Sequence, residues 1–457
     1  MQSGLQGSCH DVQMQPDEGP MRIPFINRLL VMVLGAVPGA GFAQTLDEAV
    51  AIALAQYPTI LASQARVNAA DHSIMSARSG HFPQVSWQGT NSVYSNSNMP
   101  TMPFQPNDTW IQSPAVTVNI WSGWRIQSGV ERAQAVLDSR RHEQRITRDE
   151  VAFLVIEAYL NWVRSAELVR ISQSNLAAHE RLRRDIVKIA AVDQGRLIDV
   201  EQADVRVESA RLSLQQRQSE HEIFGLRLSR MLLGPLPARP SGFDQIKGVL
   251  PTTREQALAS LTDTHPIIAQ QRAQIEAAQS SVREARAGFS PKVDFSYQKQ
   301  TAPGFGQGDY VAQLNLSVPI FDGGAALGST RSAQSSLEAA QQDLAEARIT
   351  LRERLLSTWA EYQSAIQRVS VGERQVVTAK KLVQGYDQQF RVGRRSLLDL
   401  LTIHDNLYTY ETQANNARFE ELIARARLLA VLNRLASAYQ GTDATAAPRA
   451  KEGSLSK

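Results

Sequence analysis

The sequence predicts a mainly α-helical fold with a small β part, built as two tandem repeats. Three observations carry this. The chain matches itself at a fixed offset. Each copy contains two short stretches that alternate apolar and polar residues. Each copy also contains a helical run of about 65 residues, ~100 Å long at 1.5 Å per residue.

The duplication sets the order of elements. TLDEAVAIALAQYPTILASQARVNAADHSIMSARSGHFPQVSW (45–87) lines up with TTREQALASLTDTHPIIAQQRAQIEAAQSSVREARAGFSPKVDF from Thr252. Tyr57-Pro58 matches His265-Pro266, Gly80 matches Gly288, and Pro83 matches Pro291. NIWSGW (119–124) then matches PIFDGG (319–324), and GRLIDVEQA (195–203) resembles GRRSLLDLLTI (393–403). The first repeat is expected at 45–234 and the second at 253–438, joined by a Pro/Gly linker at 235–252. A disordered tail is expected at 439–457.

Within each repeat a helix is broken by Pro58 or Pro266, each suited to the first helical position. That helix ends near Gly80 or Gly288. The first strand follows, at about 83–95 or 291–300, then a Pro/Gly-rich loop. The second strand is expected at about 112–122 or 310–321. In YVAQLNLSVPIFDGG, Ala312, Leu314, Leu316, Val318 and Ile320 alternate with Gln313, Asn315 and Ser317. Pro319 marks its end, since it cannot donate to a ladder.

Gly123, Gly323 and Gly324 then punctuate the strand–helix junctions. A long helix is expected at 125–190 or 325–388, and a closing helix at 196–232 or 396–438. The two shorter helices together nearly equal the long one, so they can lie end to end beside it. Ala333, Leu337, Ala340, Leu344, Ala347 and Leu351 form a heptad seam. Ordinary core helices are the alternative reading.

The N-terminus reads MRIPFINRLLVMVLGAVPGAGFAQ from Met21. Basic residues, a short apolar run and small residues make 21–43 an expected signal peptide, with a buried helix as the alternative. Residues 1–20 read as an extension before a start at Met21. The only cysteine, Cys9, precedes the signal, so no disulfide or lipid-anchoring cysteine is expected in the exported chain.

Composition excludes several functions. The formal net charge of +3 is scattered, without the basic stripe of a nucleic-acid binder. The eight histidines show no metal-ligand spacing, and Gly323-Gly324 does not begin a phosphate loop. No enzyme, cofactor or metal is expected. Mean hydropathy is −0.27, and past the signal no run reaches the ~20 apolar residues of a spanning helix. A membrane location would therefore use the strands, whose lengths of ~9–12 residues suit it.

In lipid only a closed barrel satisfies every backbone group. Four strands cannot close around a lumen, so a chain with four must share its barrel. Three chains would give twelve strands, more than the eight that side chains fill, and hence a pore.

The duplication, the strand ends NIWSGW and PIFDGG, and the segment FRVGRRSLLDLLTIHDNLYTYETQANNARFEELIARARLLAVL (390–431) resemble the TolC family of outer-membrane channel proteins. The resemblance covers about 45–438. It implies a homotrimer with a twelve-stranded outer-membrane β-barrel and a large periplasmic α-helical tunnel. It implies type I protein secretion or small-molecule efflux, with a periplasmic adaptor protein and an inner-membrane ABC or proton-driven pump as partners. A periplasmic adaptor or a soluble structural coiled coil are the rivals; an adaptor would show one hairpin, not two repeats with four strands.

The same resemblance implies a periplasmic gate at the turn between the last two helices. The matching residues are Phe390, Gly393, Arg395, Asp399 and Thr402. Asp399 matches an outer acidic ring, while Thr402 and Phe390 depart from the family's second Asp and its Tyr. Arg395 and Asp399 are four apart, which would set them one helical turn from each other. The bland alternative for Asp399 is a solvated helix charge. Gly195 and Asp199 match the tip turn of the first repeat, where they would face the adaptor. Trp87, Tyr94, Trp110, Trp121, Trp124, Phe295, Tyr297, Tyr310 and Phe321 lie on or beside the strands, as interfacial girdles or through strand propensity alone.

Overall fold

The computed structural model describes residues 45–93, 108–237, 240–299 and 310–439. The expected extension and signal peptide, Tyr94, most of both loops between paired strands, and the tail from 440 lie outside the described residues.

The first repeat opens with α1 (Leu46–Gln56), started by a capping box in which Thr45 and Glu48 satisfy each other's backbone N–H. Tyr57 is extended because a proline follows, and α2 (Pro58–Arg78) begins at that proline. One 3-10 turn leads into β1 (Gln84–Val93). Next come β2 (Asp108–Trp121), α3 (Arg125–Ala190) and α4 (Leu197–Leu232). The second repeat begins with α5 (Arg254–Ala259), capped by Thr253, and α6 (Pro266–Arg286). It continues through β3 (Lys292–Lys299), β4 (Tyr310–Ser317), α7 (Ala325–Arg391), α8 (Leu397–Val431) and α9 (Leu435–Tyr439). At 66 and 67 residues, α3 and α7 each run ~100 Å.

The strands form one antiparallel sheet in the order β1-β2-β3-β4. The helices repeat that order. α2 and α4 pack along α3, α6 and α8 pack along both α3 and α7, and α3 joins the repeats. The register sorts the two sheet faces. Val118, Phe295 and Leu314 stand opposite one another on the oily face, as do Val116, Tyr297 and Ala312. Asn119, Asp294 and Asn315 stand together on the wet face. Leu314 and Leu316 are each 66% exposed, so none of the described residues covers the oily face there.

Four expectations are corrected. β4 stops at Ser317 rather than near 321, because Ser317 pairs with Lys292, where β3 begins. Beyond it Ile320 is 95% exposed. β2 begins at Asp108, earlier than 112, because β1 continues to pair with it as far as Val93. α8 ends at Val431 instead of 438. Asn433 adopts a left-handed φ of 54°, and Asp149 of α3 accepts the N–H of Ala436 at the start of α9. Residue 439 is not tail, since Tyr439 is buried and its hydroxyl accepts the N–H of Lys247 at 3.2 Å.

The linker also packs. The N–H of Leu46 donates to the Ser241 carbonyl at 3.1 Å, and Ile246 is buried. Leu46 and Ile246 belong to the main core, where Val155, Ile156, Tyr159, Leu160, Leu228 and Leu429 are also buried. Each such aliphatic side chain contributes about 1.5–3 kcal/mol.

The heptad seam is the inward line of α7. Ala333, Leu337, Ala340, Leu344 and Ala347 are half-buried and Leu351 is buried. The line continues through Leu355, Thr358, Tyr362, Ala365, Val369, Gly372, Val376 and Ala379. Two steps of four, Ala347 to Leu351 to Leu355, interrupt the heptads there.

Candidate functional site

The second tip turn is built from its own backbone. α7 ends where Gly393, at φ 74°, takes the left-handed conformation and donates to the Phe390 carbonyl at 2.9 Å. Phe390 packs against a cluster of Leu182 and Ile186 from α3 with Leu397, Leu400 and Leu401 from α8. Ser396 caps α8. Its hydroxyl accepts the Asp399 N–H, and Asp399 accepts the Ser396 N–H. Asp399 is therefore a capping residue, and its carboxylate remains half exposed. Thr402, one turn further along, donates its hydroxyl to the Leu398 carbonyl at 2.7 Å.

Arg395 is not on the α8 face, as its spacing from Asp399 suggested, because it precedes the Ser396 cap. Its guanidinium lies over the Tyr386 ring, 4.4 Å from the centroid, and its Nε donates to Gln389 at 3.0 Å. The Asp399 carboxylate is 3.9 Å away, a longer contact than either. Arg395 thus clamps α7 to the start of α8.

The first tip turn is built differently. Asp193 accepts the Gly195 N–H at 3.1 Å and pairs with Arg196 at 3.3 Å, holding a 3-10 turn. Gly195 has no left-handed φ. Asp199 lies in the first turn of α4, whose N-cap Arg196 makes no side-chain cap. Val192, Leu197 and Ile198 are exposed beside it.

At the junctions, Gly123 and Trp124 both adopt left-handed φ, as do Gly323 and Gly324. Asp322 accepts the N–H groups of Gly324 and Ala326, so its pKa lies below the usual carboxylate range. Of the aromatic residues, Tyr297 and Tyr310 stack across β3 and β4 with centroids 5.3 Å apart, and Trp87, Trp124 and Phe321 are exposed.

Sequence reasoning missed a polar knot deeper in the helices. Tyr408 of α8 shares hydrogen bonds with Ser172 of α3 at 3.1 Å and Ser213 of α4 at 2.9 Å. Burial opposes its phenolate, but these bonds and one from Arg217 prevail and hold its pKa down. Near it, His179 contacts Asp405, which pairs with Arg206 at 3.0 Å. Polar residues at buried heptad-like positions were the available signal. Among the described residues, no three metal-ligating side chains converge, and no helix is long and apolar enough to cross a membrane.

Exposed oily strands that hand over to 100 Å helices with capped tips define an outer-membrane channel architecture. The chain belongs to the outer membrane efflux protein family, matching its description over residues 49–232 and 257–434. It is 21% identical over 411 residues to the outer membrane efflux protein BepC of Brucella suis, covering 88% of each chain. It is 24% identical over 334 residues to the alkaline protease secretion protein AprF of Pseudomonas aeruginosa, covering 70% of this chain and 67% of that one. The Campylobacter jejuni CmeC outer membrane channel shares the fold with a TM-score of 0.73, at 13% identity and 85% coverage of each chain. The family consists of outer-membrane channels, not enzymes, with a large periplasmic helical part.

Proposed function

We propose that three copies of this chain close one twelve-stranded barrel and one helical tunnel. The carrying observation is the sheet itself, with its oily face exposed and, among the described residues, β1 and β4 each lacking a partner on one side. In lipid those edges require pairing, and a second copy offers β4 to β1. The mature chain would start near residue 44, with both repeats building the wall.

The channel passes cargo received from an inner-membrane pump through a periplasmic adaptor, which docks at the tips. Relatives named for efflux and for protease secretion support either small toxic molecules or a secreted protein as cargo. Asp399 lines the closed entrance, Arg395 and Phe390 hold it, and Thr402 leaves a second acidic ring incomplete. Gly195 and Asp199 face the adaptor.

Detergent-extracted protein should have a mass near three times that of the chain, with strand content lost only on heating. A monomer with full strand content sinks the reading.

A further inference from the structure

The wet face of the sheet ends in a recess of about 250 Å³ at the strand–helix junction. Gln84, Thr117, Asn119, Lys292 and Asp294 line it together with Arg125, the first residue of α3. Asp294 is already occupied. It accepts from Asn119 at 2.8 Å and pairs with Lys292 at 2.8 Å. Among the described residues, no carboxylate pairs with Arg125, so the recess carries one uncompensated positive charge.

That charge is not needed for the turn. The equivalent residue in the second repeat is Ala325, and α7 starts there through the same pair of left-handed residues. A helix N-terminus disfavours a cation. At the second junction Asp322 replaces Ser122, and its charge is met by the N–H groups of Gly324 and Ala326. The two junctions have thus diverged in charge around one shared geometry.

We propose that Arg125 is a specificity-determining residue. Three copies form a positive ring inside the lumen, where barrel passes into tunnel, and contact anionic groups, carboxylate or phosphate, on passing cargo. This rests on the shared-barrel reading, which places the wet face inward. A ring of one sign in a narrow lumen raises the local concentration of the opposite ion.

The test is reversal potential in a potassium chloride gradient across planar bilayers containing the full-length protein. Arg125→Gln should lower the chloride-to-potassium permeability ratio about twofold or more, since three charges act in a poorly screened lumen. Arg125→Glu should lower it further, and Arg125→Lys should preserve it. Arg125→Ala copies the residue already used at Ala325, so it guards against a folding defect. Ala325→Arg should move the ratio the other way. Channels of wild-type conductance whose ratio is unchanged in the Gln, Glu and Ala variants overturn the proposal. Failure of the wild-type protein to form trimers or channels overturns the barrel reading instead.

Discussion

The Asp399 carboxylate accepts the Ser396 N–H at 3.3 Å, while the Ser396 hydroxyl accepts the Asp399 N–H at 3.1 Å. One side chain therefore starts α8 and supplies charge at the tip. Asp399→Asn keeps an acceptor oxygen but removes the charge. It should lower cation selectivity and block by multivalent cations while leaving the helix start intact. Asp399→Ala should add a loss of about 0.5–1 kcal/mol of helix stability. Unchanged selectivity in the Asn variant, read in bilayers, would leave Asp399 a cap and nothing more.

Arg395 contacts Tyr386 and Gln389 on α7 from a position just ahead of α8. Arg395→Ser removes both contacts, about 0.5–1 kcal/mol for the ring contact alone. Conductance of the closed channel should rise. Arg395→Lys should fall between, because an ammonium cannot stack flat. Conductance equal in all three proteins would exclude the clamp.

Leu314 and Leu316 stand on the oily face of β4, and Asn315 between them on the wet face. Arginine at either leucine should cost ~2–4 kcal/mol at the bilayer midplane and reduce the assembled fraction. Asn315→Arg should assemble normally and change conductance. Equal loss of assembly in all three variants would mean that the faces are misassigned.

A Cβ on Gly123 would lie 2.2 Å from the Ser290 Cβ, at a φ of +63°. On Gly323 it would meet nothing within 4 Å, at a φ of +69°. Gly323→Ala should therefore cost only the left-handed strain, about 1–2 kcal/mol. Gly123→Ala should cost a further ~1–3 kcal/mol of overpacking. Denaturant titration of the two variants compares them directly; equal midpoints would contradict the contact.

Asp149 is buried, and burial raises its pKa to about 7 against the pull of the Ala436 and Leu435 N–H groups. Its value in the unfolded chain lies near 3.8, so folding favours the protonated acid. Its stabilising contribution is full below pH ~4 and is lost as pH rises through 7. Asp149→Asn cannot ionise. It should flatten the pH dependence of stability over that window and gain on the order of a few kcal/mol relative to wild type at pH 8. Identical pH profiles would show that the carboxylate pays no desolvation cost.

The repeats, the alternating strands and the lengths of α3 and α7 were legible in the sequence because they depend on local periodicity. Alternation of period two marks a strand, and the 3-4 spacing of Ala333 to Leu351 marks a seam wherever the helix lies. The breaks at Gly123, Gly323 and Gly324 were legible as an interruption of the alternation, but their left-handed backbone, shared by Trp124, appears only in the structure. What the tertiary structure decided depends on partners remote in the chain. β4 stops at Ser317 because β3 begins at Lys292, and α9 starts beneath a carboxylate 287 residues away. The sequence placed Arg395 and Asp399 four residues apart, but only the cap at Ser396 made one a clamp on α7 and the other part of the cap that starts α8. Spacing fixes which side chains can meet; the chain's path through the turn fixes which ones do.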